Sequence, residues 1–181
     1  GRTRDDAAGE AFDKAARILG LGYPGGPAVQ QVAAGVETSM RLPRAWLGDS
    51  LDFSFSGLKT AVLHKAQELG LYPPGETTEN SDLVAELAAA FQEAVVDVIA
   101  TKAAEAVRRF GAKGLVLGGG VSANALLRER CGSLSPVPVL IPAPRLCTDN
   151  GSMIAAAGYQ NLRRGITHGL RLDAVPSLPI S

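Results

Sequence analysis

The residues best suited to chemistry follow a short apolar run late in the chain. Residues 115–117 (Leu-Val-Leu) are predicted as a buried strand, and three glycines at 118–120 follow directly, before a helix that begins near Ala123. Glycines at such a turn let backbone N–H groups approach an anion or a nucleotide closely. Asn124, in the first helical turn, can hydrogen-bond the edge of a base. The pattern also fits a tight turn that only needs positive φ, because a glycine-rich turn alone is a weak signal.

A carboxylate near the C-terminal end is the second candidate. Asp149 lies in the segment Cys-Thr-Asp-Asn-Gly at 147–151, after a predicted strand and at a predicted helix start. It can act as a metal ligand. A carboxylate at this position is also explained by its favourable interaction with the helix dipole, and spacing alone favours that simpler explanation.

The third candidate is an acidic stripe on the first predicted helix. Asp13 can accept hydrogen bonds from ribose hydroxyls, as acidic residues do in other nucleotide sites. Gly26, after a Tyr-Pro-Gly turn, can let backbone lie against the same sugar. Ordinary surface ion pairs are the alternative, either Asp13 with Lys14 or Arg17, or Glu10 with Lys14.

Other titratable residues give weaker signals. His64 and His168 lie far apart in the chain, and neither has a partner at metal-ligand spacing. Lys59 can face a phosphate, although an exposed helix lysine is the more usual role. The sequence contains no GxSxG elbow, no HExxH pair and no Walker-type loop.

The pattern of apolar residues predicts six helices that would position these candidates. The predicted helices span 5–19, 27–34, 57–69, 82–109, 123–131 and 149–163, and extended segments span 51–55, 115–117 and 137–141. Asp5 or Asp6, Ser56 and Thr148 are the expected caps of the first, third and last helices. Residues 72–80 are expected to be a polar loop.

The order of these elements predicts a helix-rich α/β chain that forms one partial domain over 1–181. It would comprise a mainly helical part at 1–112, a nucleotide-binding strand-helix-strand-helix segment at 113–164 and an irregular tail at 165–181. Two or three strands do not complete an α/β sheet, so N-terminal strands are expected to be missing. The absence of an initiator Met also suggests a fragment or a processed product.

Bulk composition narrows the class of protein. Hydrophobic residues make up 46% of the 181 residues and charged residues 20%, which is typical of a globular protein. No apolar run approaches the roughly 20 residues of a membrane span, and no signal peptide opens the chain. The 18 basic and 18 acidic residues cancel, which argues against tight nucleic-acid binding by this chain alone. Two cysteines without CxxC spacing suggest a reducing, cytoplasmic setting.

Five segments taken together, in this order, are far more specific than any one of them. They are residues 5–14 (DDAAGEAFDK), 23–27 (YPGGP), 52–60 (DFSFSGLKT), 118–124 (GGGVSAN) and 147–155 (CTDNGSMIA). The series closely resembles the TsaD family, once called Gcp and once described as a glycoprotein endopeptidase. The resemblance covers nearly the whole chain.

The resemblance implies the C-terminal part of an ASKHA-type fold, with an incomplete RNase H-like half. It implies transfer of a threonylcarbamoyl group from threonylcarbamoyl-AMP to N6 of the adenosine beside the anticodon in tRNA. It assigns adenylate binding to a wall formed by Asp13, Gly26, Gly119, Gly120 and Asn124. It also assigns one metal ligand, Asp149, for a divalent metal that is iron, with zinc as the alternative.

The resemblance further implies TsaB-like and TsaE-like protein partners, and no membrane. The family's HxxxH metal ligands and its Ser-Gly-Gly-type loop belong to a segment upstream of this sequence. The chain alone is therefore expected to bind iron weakly and to transfer nothing detectable. Three other classes remain open: a sugar or acetate kinase, a non-catalytic ASKHA-fold partner subunit, and the metallopeptidase of the older description.

Overall fold

The computed structural model describes residues 1–75, 81–173 and 175. It divides into two compact units, residues 1–147 and 148–181. The helices of the first unit are α1 (Ala8–Ile18), α2 (Gly25–Val32), α3 (Ser56–Glu68), α4 (Ser81–Phe110) and α5 (Ala125–Leu134). Its strands are β1 (Leu115–Val116) and β2 (Val139–Leu140), and it has 3-10 turns at Gly120–Ala123 and Pro144–Leu146. The second unit contains α6 (Gly151–Arg163).

The main core forms where α1, α2 and α3 pack around the first half of α4. Fourteen residues of this 30-residue helix are buried, and they include every residue from Leu87 to Gln92, so the middle of the helix is enclosed on all sides. Phe12 of α1 meets Phe91 of α4 edge to face, with ring centroids 5.1 Å apart. This contact fixes the face that α1 presents to the core, and it leaves Asp13 at the edge of that face.

A smaller core lies between α4 and α5. Val96 and Ala100 of α4 pack there against Leu127 and Cys131 of α5. The strands β1 and β2 come before and after α5 in the chain and pair with each other in parallel, so the segment is a short β-α-β unit. The helix-rich α/β class expected from sequence is thus confirmed for the described residues.

A buried lysine attaches the segment before α3 to the long helix. Nζ of Lys102 donates to the carbonyl oxygens of Trp46, Ser50 and Asp52, each at 2.6 Å. Burial lowers the pKa of the Lys102 ammonium from its usual value. The three carbonyls nevertheless match the three N–H donors of the charged form, which keeps this buried cation satisfied.

Two of the predicted helix caps are wrong for the same reason. Neither Asp5 nor Asp6 caps α1, and Ser56 does not cap α3. Instead, Asp5 accepts hydrogen bonds from the N–H and hydroxyl groups at the start of α3, about 50 residues away in the chain; the donors are Ser54 Oγ, Phe55 N, Ser56 N and Ser56 Oγ. Helix spacing cannot reveal this cap, because its acceptor belongs to a distant segment.

The extended segment expected at 51–55 forms no strand in the described part of the chain. It makes one isolated parallel bridge, between Thr3 and Phe53. The N–H of Arg4 donates to Phe53 O, and the N–H of Phe53 donates to Arg2 O, both at 2.9 Å. The alternating apolar pattern there thus reflects the stacked pair Phe53 and Phe55 beside the N-terminal segment, and not a sheet strand.

The second unit confirms one predicted helix and corrects its cap. The N-cap of α6 is Asn150, whose Oδ1 accepts from the N–H of Met153 at 3.0 Å, and not Thr148. Of the loop expected at 72–80, residues 76–80 lie outside the described part. Among the described residues, no helix has the length and apolar character that crossing a membrane requires.

Candidate functional site

Asp13 lies at the junction of α1 and α2. Its Oδ1 accepts a hydrogen bond from the backbone N–H of Gly25 at 2.8 Å, which satisfies one of the unpaired N–H groups at the start of α2. No described residue donates to its Oδ2. Of the surface pairs expected for this stripe, Glu10 with Lys14 is confirmed at 2.8 Å, and Lys14 also binds Asp6 at 2.7 Å. Among the described residues, Asp13 makes no ion pair with Lys14 or Arg17. One oxygen of Asp13 therefore serves the fold, and the other accepts no hydrogen bond from a described residue.

The two glycines at the start of α2 have different environments. A Cβ added to Gly25 would lie 2.5 Å from the Cα of Asp13 and 2.6 Å from the carbonyl oxygen of Phe12. A Cβ added to Gly26 would meet nothing within 4 Å. Gly25 is thus required for the packing of α2 on α1. Gly26, the next residue, has no such packing role, and the space at its Cβ position is open.

The same two helices contact the glycine-rich segment. Oε1 of Gln30, on α2, accepts from the N–H of Ala125 at 2.7 Å and so satisfies the first turn of α5. A Cβ added to Gly9, which lies one helical turn before Asp13, would be 3.6 Å from Cγ2 of Val121. The structure therefore brings Asp13, Gly26 and the 118–124 segment to one region of the first unit.

The glycine-rich turn leaves its backbone open to solvent. Gly119 has φ 83° and ψ 167°, a conformation that glycine adopts without strain. All three glycines of the turn are exposed. Ser122 closes the turn, because its N–H and Oγ both donate to the carbonyl oxygen of Gly119, at 3.0 and 2.6 Å. The amide groups of Gly119 and Gly120 find no acceptor among the described residues.

Asn124 is more deeply engaged in the fold than the sequence indicates. It is the N-cap of α5, and its Oδ1 accepts from the N–H of Leu127 at 3.0 Å. Its Nδ2 donates to Oε1 of Gln92, on α4, at 2.8 Å. The side chain thus keeps a single N–H for any further partner.

Asp149 is exposed and lies one residue before the N-cap of α6. Among the residues that the structure describes, no three His, Cys, Asp or Glu side chains come close enough to share a metal ion. Catalytic metal sites commonly use three protein ligands. The donor groups described here therefore do not make up a metal site around Asp149.

Sequence reasoning missed three polar residues that hold this region together, Gln30, Gln92 and Arg128. Arg128 donates to Ser122 O at 2.6 Å, to Pro142 O at 2.8 Å and to Cys147 Sγ at 3.0 Å, and so joins the glycine turn to the end of the first unit. Gln92 was detectable in principle. It is a lone amide in the otherwise apolar run from Ala88 to Val96, apart from Glu93.

Comparison with known proteins assigns the family. Residues 1–156 match the TsaD family model, described as tRNA N6-adenosine threonylcarbamoyltransferase. The chain belongs to the TsaD family. Relatives with that same description occur in Thermomicrobium roseum, Dehalococcoides mccartyi and Clostridioides difficile. They are 52%, 49% and 47% identical to the chain over 99%, 100% and 100% of its length.

The family assignment confirms the resemblance seen in the five sequence segments. The chain spans about half the length of these relatives, 53%, 52% and 53% respectively. It corresponds to a C-terminal portion of a TsaD protein.

Proposed function

We propose that this chain forms the adenylate-binding wall of an enzyme that transfers a threonylcarbamoyl group from threonylcarbamoyl-AMP to tRNA. The acceptor is N6 of the adenosine next to the anticodon, in tRNAs that read codons beginning with A. The observation that carries the proposal is the open space at Gly26, directly after the Gly25 whose N–H binds Asp13, together with an Asp13 Oδ2 that accepts no hydrogen bond from a described residue. The family description of the relatives supplies the reaction.

The wall has a part for each portion of the nucleotide. Asp13 Oδ2 would accept from the ribose hydroxyls, and Gly26 would let the sugar lie against the backbone of α2. The exposed backbone N–H groups of Gly119 and Gly120 would lie close to the nucleotide, because glycine has no side chain to obstruct it. Asn124 would contact the base with its remaining N–H. These assignments account for why each residue type is needed where it stands.

The reaction needs orientation more than covalent help from the protein. N6 of the adenosine attacks the carbamoyl carbonyl carbon, a C–N bond forms, and the bond from that carbon to the AMP phosphate oxygen breaks. AMP leaves with the electron pair, and the N6 proton passes to a phosphate oxygen of the departing AMP. Holding AMP in place fixes the angle of attack and steadies the leaving group.

A divalent metal is also part of the proposal, with iron first and zinc second. The described residues do not complete a site for it, so Asp149 is proposed as one ligand only. The ASKHA-type fold, a cytoplasmic location and the TsaB-like and TsaE-like partners are likewise proposed from the family. The presence of both Asp149 and Asn124 favours the transferase over a non-catalytic partner subunit.

A transfer assay with the whole protein that contains this chain, together with the proposed TsaB-like and TsaE-like partners and iron, tests the reaction. Threonylcarbamoyl-AMP and unmodified tRNA are supplied, and the modified nucleoside is measured by mass spectrometry. The Asp13→Asn variant keeps an acceptor for the Gly25 N–H but removes the charge, so we expect folded protein with transfer reduced by about tenfold or more. Undiminished transfer in that variant would reject the role of Asp13, and no transfer by the wild type would reject the reaction.

A further inference from the structure

Gln92 is a buried amide on the apolar face of α4. It is 7% exposed, and buried Phe91, Val95 and Val96 surround it in sequence. Burying an amide among apolar groups is unfavourable unless hydrogen bonds compensate. Core packing alone therefore does not explain Gln92, whereas its hydrogen-bond partner does.

The partner is Asn124, and the two amides have defined orientations. Asn124 Oδ1 accepts from the N–H of Leu127 at 3.0 Å, so its Nδ2 must point the other way. There it donates to Gln92 Oε1 at 2.8 Å. Rotating the Asn124 amide by half a turn would place its NH2 group against the N–H of Leu127, two donors facing each other.

This arrangement leaves Asn124 little freedom. The residue is 8% exposed, and both ends of its amide are held by groups from different helices. The cap bond fixes the oxygen end, and the Gln92 bond fixes the plane of the NH2 group. The second N–H of Asn124 Nδ2 therefore points in a single direction, and the hydrogen bond to Gln92 determines that direction.

We propose that Gln92 is a positioning residue for nucleotide recognition, which aims the remaining N–H of Asn124 at an adenine nucleotide. Gln92 itself need not touch the ligand. This inference rests on the proposed function, because it presupposes that Asn124 contacts the nucleotide. It adds a determinant of affinity on α4, a helix that otherwise serves the core.

Three variants separate positioning from packing. Gln92→Leu keeps most of the volume and removes the acceptor. Gln92→Glu keeps an acceptor for Asn124 Nδ2 although it buries a less favourable group. Val95→Ala, fully buried in the main core at 0% exposure, weakens packing of the same helix without touching Asn124. The dissociation constant for AMP and the unfolding midpoint in urea are measured for each variant in the full chain.

We expect Gln92→Leu to weaken AMP binding by about five- to tenfold, the equilibrium effect of one misplaced hydrogen bond. Gln92→Glu and Val95→Ala should bind AMP within about twofold of wild type, although both unfold at lower urea. Equal AMP affinity in Gln92→Leu and wild type would overturn the inference and leave the proposed function intact. Equal loss in all three variants would show a structural role only. A wild-type chain that binds no AMP would overturn the proposed function as well.

Discussion

Asp13 has two carboxylate oxygens with different surroundings. One oxygen satisfies the start of α2, and the other, which accepts no hydrogen bond from a described residue, is the one we propose for the ribose. From sequence, this residue had two explanations, a surface pair or a ribose contact. The structure excludes an ion pair between Asp13 and Lys14, because Lys14 binds Asp6 and Glu10 instead. The ribose contact stays a prediction.

Adjacent glycines at the start of α2 give a matched pair of mutations. Gly26→Ala adds a methyl group into open space, so stability should stay the same or rise by up to about 1 kcal/mol from helix propensity. AMP affinity should fall, because that methyl occupies the space proposed for the sugar. Calorimetric titration with AMP and thermal unfolding measure the two effects.

Gly25→Ala is the control for this pair. Its methyl would overlap α1 backbone at 2.5 Å, so we expect a loss of about 1–3 kcal/mol in the free energy of unfolding. If Gly26→Ala bound AMP as well as the wild type, the sugar would not lie against α2. A Gly25→Ala variant as stable as wild type would contradict the close packing of α1 and α2.

At the scale of elements, the sequence predicts helices better than their ends. The period of apolar residues locates all six helices to within a few residues, and α4 is confirmed over almost its whole length. The cap of α3 is missed because its capping group, Asp5, is distant in sequence, whereas the predicted cap of α6 is wrong by two residues, Thr148 in place of Asn150. The Gln92–Asn124 and Gln30–Ala125 hydrogen bonds cannot be predicted from sequence spacing, because they join residues 32 and 95 positions apart in the chain.

The Asp5 cap makes α3 sensitive to acid. Burial pushes the pKa of this carboxyl up, but hydrogen bonds from Ser54, Phe55 and Ser56 outweigh burial and hold the pKa well below its usual range. A carboxyl with a depressed folded-state pKa stabilises the fold above its unfolded-state pKa, about 4, and loses this contribution as the pH falls below that value.

The Asp5→Ala variant tests this cap. We expect a loss of about 1–2 kcal/mol in the free energy of unfolding at pH 7, and a smaller difference from wild type as the pH falls from 5 to 2. Asp49→Ala is the control, because its exposed carboxylate accepts no hydrogen bond from a described residue. Urea unfolding at several pH values measures both variants. A wild-type advantage that stayed constant down to pH 2 would contradict the cap.

At the scale of the whole molecule, the chain is a portion of a TsaD protein, and we propose that it supplies one wall of an adenylate site. The residues of that proposed wall come from α1, α2 and the segment before α5, all within the first unit. Asp149 belongs to the second unit. The family could be identified from sequence because five motifs agree in order, whereas the supporting amides could not, since no motif includes them.

The central claim is that AMP binds at the α1–α2–α5 junction of the first unit. A titration of the 15N-labelled chain with AMP, followed by backbone and side-chain amide NMR shifts, tests it most directly. We predict the largest shifts at Gly25, Gly26, Gly119, Gly120 and the side-chain amide of Asn124, with smaller shifts in Asp13→Asn at the same AMP concentration. Shifts confined to other parts of the chain, or none at millimolar AMP, would contradict the claim.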